Sequence, residues 1–213
     1  LTKGNDIDDL IGKLSEELKP VKPMAHPLIQ AIPYVLISFA YMAVVVFYVG
    51  IRGDWEEKLG DAPFMLEIFM MGFLAVSAMI TAIYLTIPDM RGDKWILAIP
   101  FTLLASFFVM VFIRSFTEGV TMPKIHYDHC MGEGGYMTII PLAVLLFLTK
   151  RGATTRPYLS ALMTIFAIAG LGYVGLRFTC SMDTIGHAVI SHMIPYIVIG
   201  SLLGIGAKKI YKW

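Results

Sequence analysis

The chain has 213 residues, 57% of them hydrophobic, and a mean hydropathy of +0.71, above the roughly even apolar share of a soluble domain. Its 17 Lys and Arg nearly balance 16 Asp and Glu for a net charge of +1, and no basic stripe interleaved with aromatics appears, which argues against direct nucleic-acid binding. Long apolar runs divided by short charged loops fill almost everything after residue 27, leaving no room for a soluble catalytic domain.

Residues 1–27 read as a polar tail. Within it NDIDDLIGKLSEEL, residues 5–18, sets Ile7, Leu10, Ile11, Leu14 and Leu18 at spacings of three and four, which is one face of a helix. Asn5 or Asp6 can cap its start, and Asp8 and Asp9 suit the positive end of the helix dipole. Pro20 ends it, and Pro20, Pro23 and Pro27 make a stiff connector to the first span. A helix of about 14 residues is marginal in water by itself, so the stripe wants a partner. Three are open: a second protein holding the helix in a groove, the chain's own cytoplasmic loops, or the inner leaflet. Membrane-surface helices usually carry a basic polar face. Here five acids (Asp6, Asp8, Asp9, Glu16, Glu17) stand against two bases (Lys3, Lys13), and anionic lipid would repel them. Ile7, Leu10, Ile11, Leu14 and Leu18 are therefore the candidate partner-binding residues.

A bilayer core of about 30 Å takes roughly 20 apolar residues of helix to cross. Six such spans fall near 28–50, 63–87, 95–116, 135–149, 157–178 and 184–206. The fourth is short, and must start earlier or sit where the bilayer is thin. The first run lacks a small-residue cleavage pattern and is long enough to span, so no cleavable signal peptide is expected. The expected fold is all-α: a polytopic membrane protein with six transmembrane helices over residues 28–213, preceded by a cytoplasmic amphipathic helix.

Sorting the basic residues orients it. Lys3, Lys13, Lys19, Lys22, Arg91, Lys94, Lys150, Arg151, Arg156, Lys208, Lys209 and Lys212 fall on one side, against Arg52, Lys58, Arg114, Lys124 and Arg177 on the other. The richer side should be cytoplasmic, which places both termini inside, as an even number of spans requires. Glu67 and Arg114 lie near the outer interface and read as side chains leaning out to water. His192, deeper in span six, reads as a helix–helix hydrogen bond. Small residues at Ala169, Gly170, Gly172, Gly175, Gly200, Gly204 and Gly206 allow close helix packing. No ion-filter motif, nucleophile elbow or HExxH is present, and no enzymatic role is expected.

The only two cysteines, Cys130 and Cys180, fall on the outer side. In an oxidising periplasm such a pair can form a disulfide, closing a loop of roughly 50 residues worth about 3–4 kcal/mol in the chain-entropy model. A structural staple, a redox-responsive pair and a metal site remain open. Histidines gather beside the cysteines in HYDHC (126–130) and CSMDTIGH (180–187). His126, His129 and His187 are thus candidate ligands for Zn²⁺ or another soft metal, and no other cofactor is expected.

The stretch TKRGATTRPYLSALMTIFAIAGLGYVGLRFTC, residues 149–180, resembles the NrsF-type family of six-span bacterial inner-membrane anti-sigma factors. The similarity lies in the basic loop RGATTRP, the alanine- and glycine-rich fifth span and the cysteines flanking it. It extends to the terminal KKIYKW and to the tail DDLIGKLSEELKPVKP. Thr179 stands where the family has a histidine. The resemblance implies a bacterial inner-membrane regulator whose cytoplasmic tail sequesters a sigma factor, with no direct contact to nucleic acid. It further implies release by an outer-face signal acting through Cys130 and Cys180. The alternative is a small transporter or an accessory subunit of a membrane complex. That reading requires a polar path through the spans, and few residues supply one. A membrane enzyme built on the outer cluster would need a general base, for which Asp128, Glu133 and Asp183 are nominal candidates.

Overall fold

The computed structural model describes residues 3–16, 25–87, 94–118, 129–152 and 154–211, with backbone alone for residues 3–6, 8, 94, 118 and 129. Leu18, Pro20, Pro23, Lys124 and His126 lie outside the described residues. Among those described, the regular elements are all helical: α1 (Lys3–Glu16), α2 (Pro27–Val49), α3 (Trp55–Leu59), α4 (Ala62–Tyr84), α5 (Lys94–Glu118), α6 (His129–Arg151), α7 (Pro157–Thr179), α8 (Ile185–His192) and α9 (Ile194–Ile210). Six segments are long and apolar enough to cross a bilayer: α2, α4, α5, α6, α7, and α8 with α9 taken together.

Three boundaries differ from expectation. α1 begins at Lys3, so Asn5 and Asp6 lie inside the helix and do not cap it. α6 begins at His129, six residues before the predicted start at 135, which gives the short fourth span its full length. Its first turns are polar and glycine-bearing, but Cys130, Gly134 and Met137 turn inward, and that packing overrides weak local propensity. Span six is broken at Met193, between α8 and α9. Pro195 causes the break, since its ring has no N–H and crowds the preceding turn, while it fits the first turn of a new helix.

α7 is the central post. It is buried from Ser160 almost without interruption to Arg177, and α2, α4, α6 and α9 pack around it. The closest approach is to α4, and Gly170 permits it. A Cβ at that position would stand 2.6 Å from the Met71 carbonyl oxygen and 2.9 Å from the Ala75 amide nitrogen. α4 answers with Ala75, Ala78 and Ala82, all fully buried. Without a hydrophobic drive between helices in lipid, such close backbone approach is the main source of association.

Backbone groups freed by proline are satisfied sideways. Pro100 cannot donate to the Ile96 carbonyl one turn earlier, and the Thr81 hydroxyl of α4 shares its proton between that carbonyl at 3.2 Å and the Ser77 carbonyl at 2.7 Å. Toward lipid the bundle shows large apolar side chains, among them Leu36, Phe47, Phe112, Phe116 and Leu202. At the end where α7 begins, the RGATTRP loop is folded against the bundle. The Thr154 and Ser160 hydroxyls meet at 2.9 Å, the Arg156 amide donates to Thr154 at 3.2 Å, and Gly152 sits against Thr86. This is the basic end. The other carries both cysteines.

Candidate functional site

At the cysteine end α7 stops on Cys180, whose amide donates to the Leu176 carbonyl at 2.8 Å before the chain turns extended. Cys130 sits in the first turn of α6, and His187 and His192 lie on α8. One ligating atom from each of these four side chains falls within 4.8 Å of the others, and all four residues are buried. The Cys180 sulfur is 3.3 Å from His187 Nε2, and the other ring nitrogen of His187 is 3.3 Å from the Ser191 hydroxyl. The Met182 amide donates to the Cys180 sulfur at 3.5 Å. His192 is fully buried, yet neither of its ring nitrogens has a hydrogen-bond partner. Its ring meets those of His187 at 5.1 Å and Tyr173 at 5.8 Å, edge to face. Both cysteines are thiols, with no bridge between them. Hydrogen bonding with Cys130 holds the Cys180 thiol well below the usual thiol range, outweighing the opposing effect of burial.

Of the ligands read from the sequence, the structure brings His187 to the cysteines. His126 lies outside the described residues, and only the backbone of His129 is described. His192 makes no helix–helix hydrogen bond and joins the cysteine cluster instead. The sequence allows it a polar pocket shared with His187 but leaves it out of the ligand set, because residues five apart on a straight helix point about 140° away from each other. Both histidines lie on α8, with the Met193 break just beyond His192.

An ionic network adjoins the cluster. Arg52 forks onto Asp54 at 2.7 and 2.9 Å and onto Asp183 at 3.0 and 2.9 Å, and donates to the Cys180 carbonyl at 3.0 Å. Lys58 meets Asp183 at 2.9 Å. Arg177 donates to Asp183 at 2.8 Å, and its Nε lies 3.1 Å from Glu67 without an aligned hydrogen bond. Arg114 pairs with the other Glu67 oxygen, and the Tyr173 hydroxyl donates to Glu67 at 2.8 Å. The ring of Phe64 lies under both Arg52 and Arg177.

This overturns the reading of Glu67 as a side chain leaning out to water, since the residue is 2% exposed. Its charge is met by guanidinium groups from two other helices, and a carboxylate so paired has no need of the interface. A span-by-span reading cannot see that, because α4, α5 and α7 each contribute one part. In the loops, burial pushes the Asp183 carboxyl up, but hydrogen bonds from Arg52 and Lys58 and the charges of Arg177 and Arg52 outweigh it and hold the group well below the usual range. Asp54 is lowered by its bond from Arg52, and Lys58 is raised by its bond to Asp183.

The second feature is α1. Ile7, Leu10, Ile11 and Leu14 are each 55–56% exposed. They share a face by spacing, and that face is not packed against the other described residues. Lys13 pairs with Asp9 at 2.7 Å across one turn of the polar side.

A sequence model of the family described as negative regulator of sigma F, NrsF, matches residues 14–213. No curated protein and no solved structure matches the chain.

Proposed function

The chain belongs to the NrsF family of negative regulators of sigma F, and from that we propose that it holds a sigma factor at the membrane through α1 and releases it on a signal received at the cysteine end. The observation that carries the contact surface is the unpacked stripe of Ile7, Leu10, Ile11 and Leu14. Elsewhere the large apolar side chains face the core or the lipid, whereas a short acidic helix in the tail has neither to cover it. The family match begins at Leu14, so Ile7, Leu10 and Ile11 stand on this geometry alone. Full burial of a Leu or Ile contributes about 1.5–3 kcal/mol, so covering the exposed half of four of them contributes on the order of 3–6 kcal/mol gross. Ordering costs reduce that, and the acids beside the stripe must add to it.

In this reading the protein sits in the bacterial inner membrane with both termini in the cytoplasm and the cysteines facing the periplasm. The split of basic residues, twelve at the other end against five at the cysteine end, supports that orientation. The role is regulatory and non-enzymatic, exercised on the sigma factor and without direct contact to nucleic acid.

Co-purification from native membranes in mild detergent tests this, comparing the intact protein with a Leu10→Asp/Leu14→Asp variant. A sigma factor recovered with the intact chain and lost with the variant is the expected result. Equal recovery with both would remove the stripe from the contact. A larger membrane complex in place of a sigma factor would favour the accessory-subunit reading.

A further inference from the structure

We propose that Cys130, Cys180, His187 and His192 form a closed tetrahedral site for a divalent cation of the zinc class. The binding stands apart from the anti-sigma reading, and only its use as a signal rests on that reading.

The donor set is the first argument. Two sulfurs and two imidazoles suit zinc, with arms of about 2.3 Å to sulfur and about 2.0–2.1 Å to nitrogen. A tetrahedron with those arms has edges of about 3.3–3.8 Å. The Cys180 to His187 edge already measures 3.3 Å, and the other separations fall within 4.8 Å. Side-chain rotations alone can close the remainder.

His192 is the second argument, independent of the first. A buried imidazole with both nitrogens unpartnered carries the full desolvation penalty of those groups. A metal bond from one nitrogen relieves its share of that penalty, and among the described residues the sulfurs and His187 are its polar neighbours in this cluster. His187 is already set for the task. The contact of its Nδ1 with Ser191 leaves Nε2 directed at the Cys180 sulfur, the arrangement in which an outer partner orients a ligating histidine.

Charge selects the cation. With both sulfurs bound as thiolates, one M²⁺ and two neutral imidazoles yield a complex of zero net charge, and binding releases whatever protons the sulfurs still carry. Such a complex can stay buried at low cost, whereas a monovalent ion would leave a net negative charge there. With four protein ligands no coordination position remains open, which makes the site structural or regulatory and not catalytic. Its ligands come from the start of α6, the end of α7 and α8, so the ion would tie three segments together beside the Met193 break.

The test uses the intact chain in mild detergent, reduced and stripped with chelator, then titrated with Co²⁺ as a spectroscopic probe. Expected are one ion per chain, thiolate-to-cobalt charge transfer, ligand-field bands of tetrahedral cobalt, and bleaching by Zn²⁺. Cys130→Ser and Cys180→Ser should each weaken the charge-transfer band. His192→Ala should change the ligand-field bands and lower Zn²⁺ affinity at least ten-fold, and Ser191→Ala should lower it by roughly ten-fold. His192 has no hydrogen bond to lose, and the histidine variants carry the test if the cysteine variants do not fold. Octahedral spectra, binding that survives loss of both cysteines, or affinity indifferent to His187→Ala and His192→Ala would each overturn the site. Sigma-factor recovery from the same membranes separates the two proposals. Recovery without a tetrahedral spectrum refutes the metal site alone, and the converse refutes the anti-sigma reading alone.

Discussion

Glu67 provides the sharpest test of how the bundle is held together. Glu67→Gln keeps the side chain's shape and its capacity to accept from Tyr173, now at 2.8 Å, but removes the charge between Arg114 and Arg177. Removing one partner of a buried ion pair costs about 3–5 kcal/mol, because the other charge is left buried and unmatched. Two features move this case to the lower end. The Arg114 side chain is 20% exposed and can lean toward the interface, and Arg177 keeps Asp183 at 2.8 Å. The expected loss is about 3 kcal/mol. Equilibrium unfolding in mixed micelles measures it, with Lys58→Ala as the comparison. Lys58 bridges Asp183 and Asp61 among partly exposed groups, and its loss should cost less than about 1 kcal/mol. Combining Glu67→Gln with Arg114→Gln should cost less than the sum of the two, since each alone strands the other's charge. If Glu67→Gln costs no more than Lys58→Ala, or if the pair is additive, the cluster does not hold α4, α5 and α7 together through charge.

Two further outcomes follow from the packing and from the loop charges. Gly170→Ala should destabilise by about 1–3 kcal/mol, because the new Cβ meets the Met71 and Ala75 backbone and not a flexible side chain. Thermal unfolding in detergent against Gly204→Ala, where nothing lies within 4 Å of the added carbon, isolates that contact. Asp183 predicts a pH dependence: its folded-state carboxyl lies below its unfolded value, so its contribution is fully present above about pH 4 and is lost as the pH falls through the folded pKa. Stability should therefore stay level from neutral down to about pH 5 and decline below pH 4. Asp183→Asn should remove part of that decline, and an unchanged acid limb would count against the assignment.

The spans were legible because their signal is local. Twenty apolar residues between charged loops mean the same thing whatever surrounds them, and α2, α4, α5 and α7 fall close to where hydropathy places them. Hydropathy failed where a polar residue is buried by a neighbour. The first turns of α6 look like loop because Glu133 and three glycines interrupt the apolar run, yet Cys130 and Gly134 are buried, Gly134 against Leu176 of α7. Glu67 looks like an interface residue because Arg114 and Arg177, which neutralise it, lie about 50 and 110 positions away. The cysteine cluster was half legible. Proximity in sequence suggested His187, whereas His192, five residues further along α8, joins the cluster only in the folded structure. The α1 stripe was readable from spacing alone, and its exposure could be known only once the rest of the chain had been placed.

The cluster and the start of the first span lie at opposite ends of the molecule. α1 leads toward Pro27, and the adjoining His26 ring meets Tyr84 at the last turn of α4, beside the RGATTRP end. The cysteines lie where α7 runs out, about 34 Å away for 23 residues at 1.5 Å each. Coupling over that distance needs an element with two arrangements. α7 is poorly suited to move, since Glu67, Tyr173 and Arg177 fasten its upper third to α4 and α5, and Gly170 locks it against Met71 and Ala75. The broken sixth span is better placed. α8 carries both histidines, Met193 is the joint, and α9 runs from it to the basic end, where the Tyr211 hydroxyl meets Thr164 at 3.2 Å, one turn above the Ser160–Thr154 contact. A change in how His187 and His192 engage the sulfurs would thus be taken up at Met193 and carried along α9. It would arrive beside the RGATTRP loop, with α7 serving as the fixed frame.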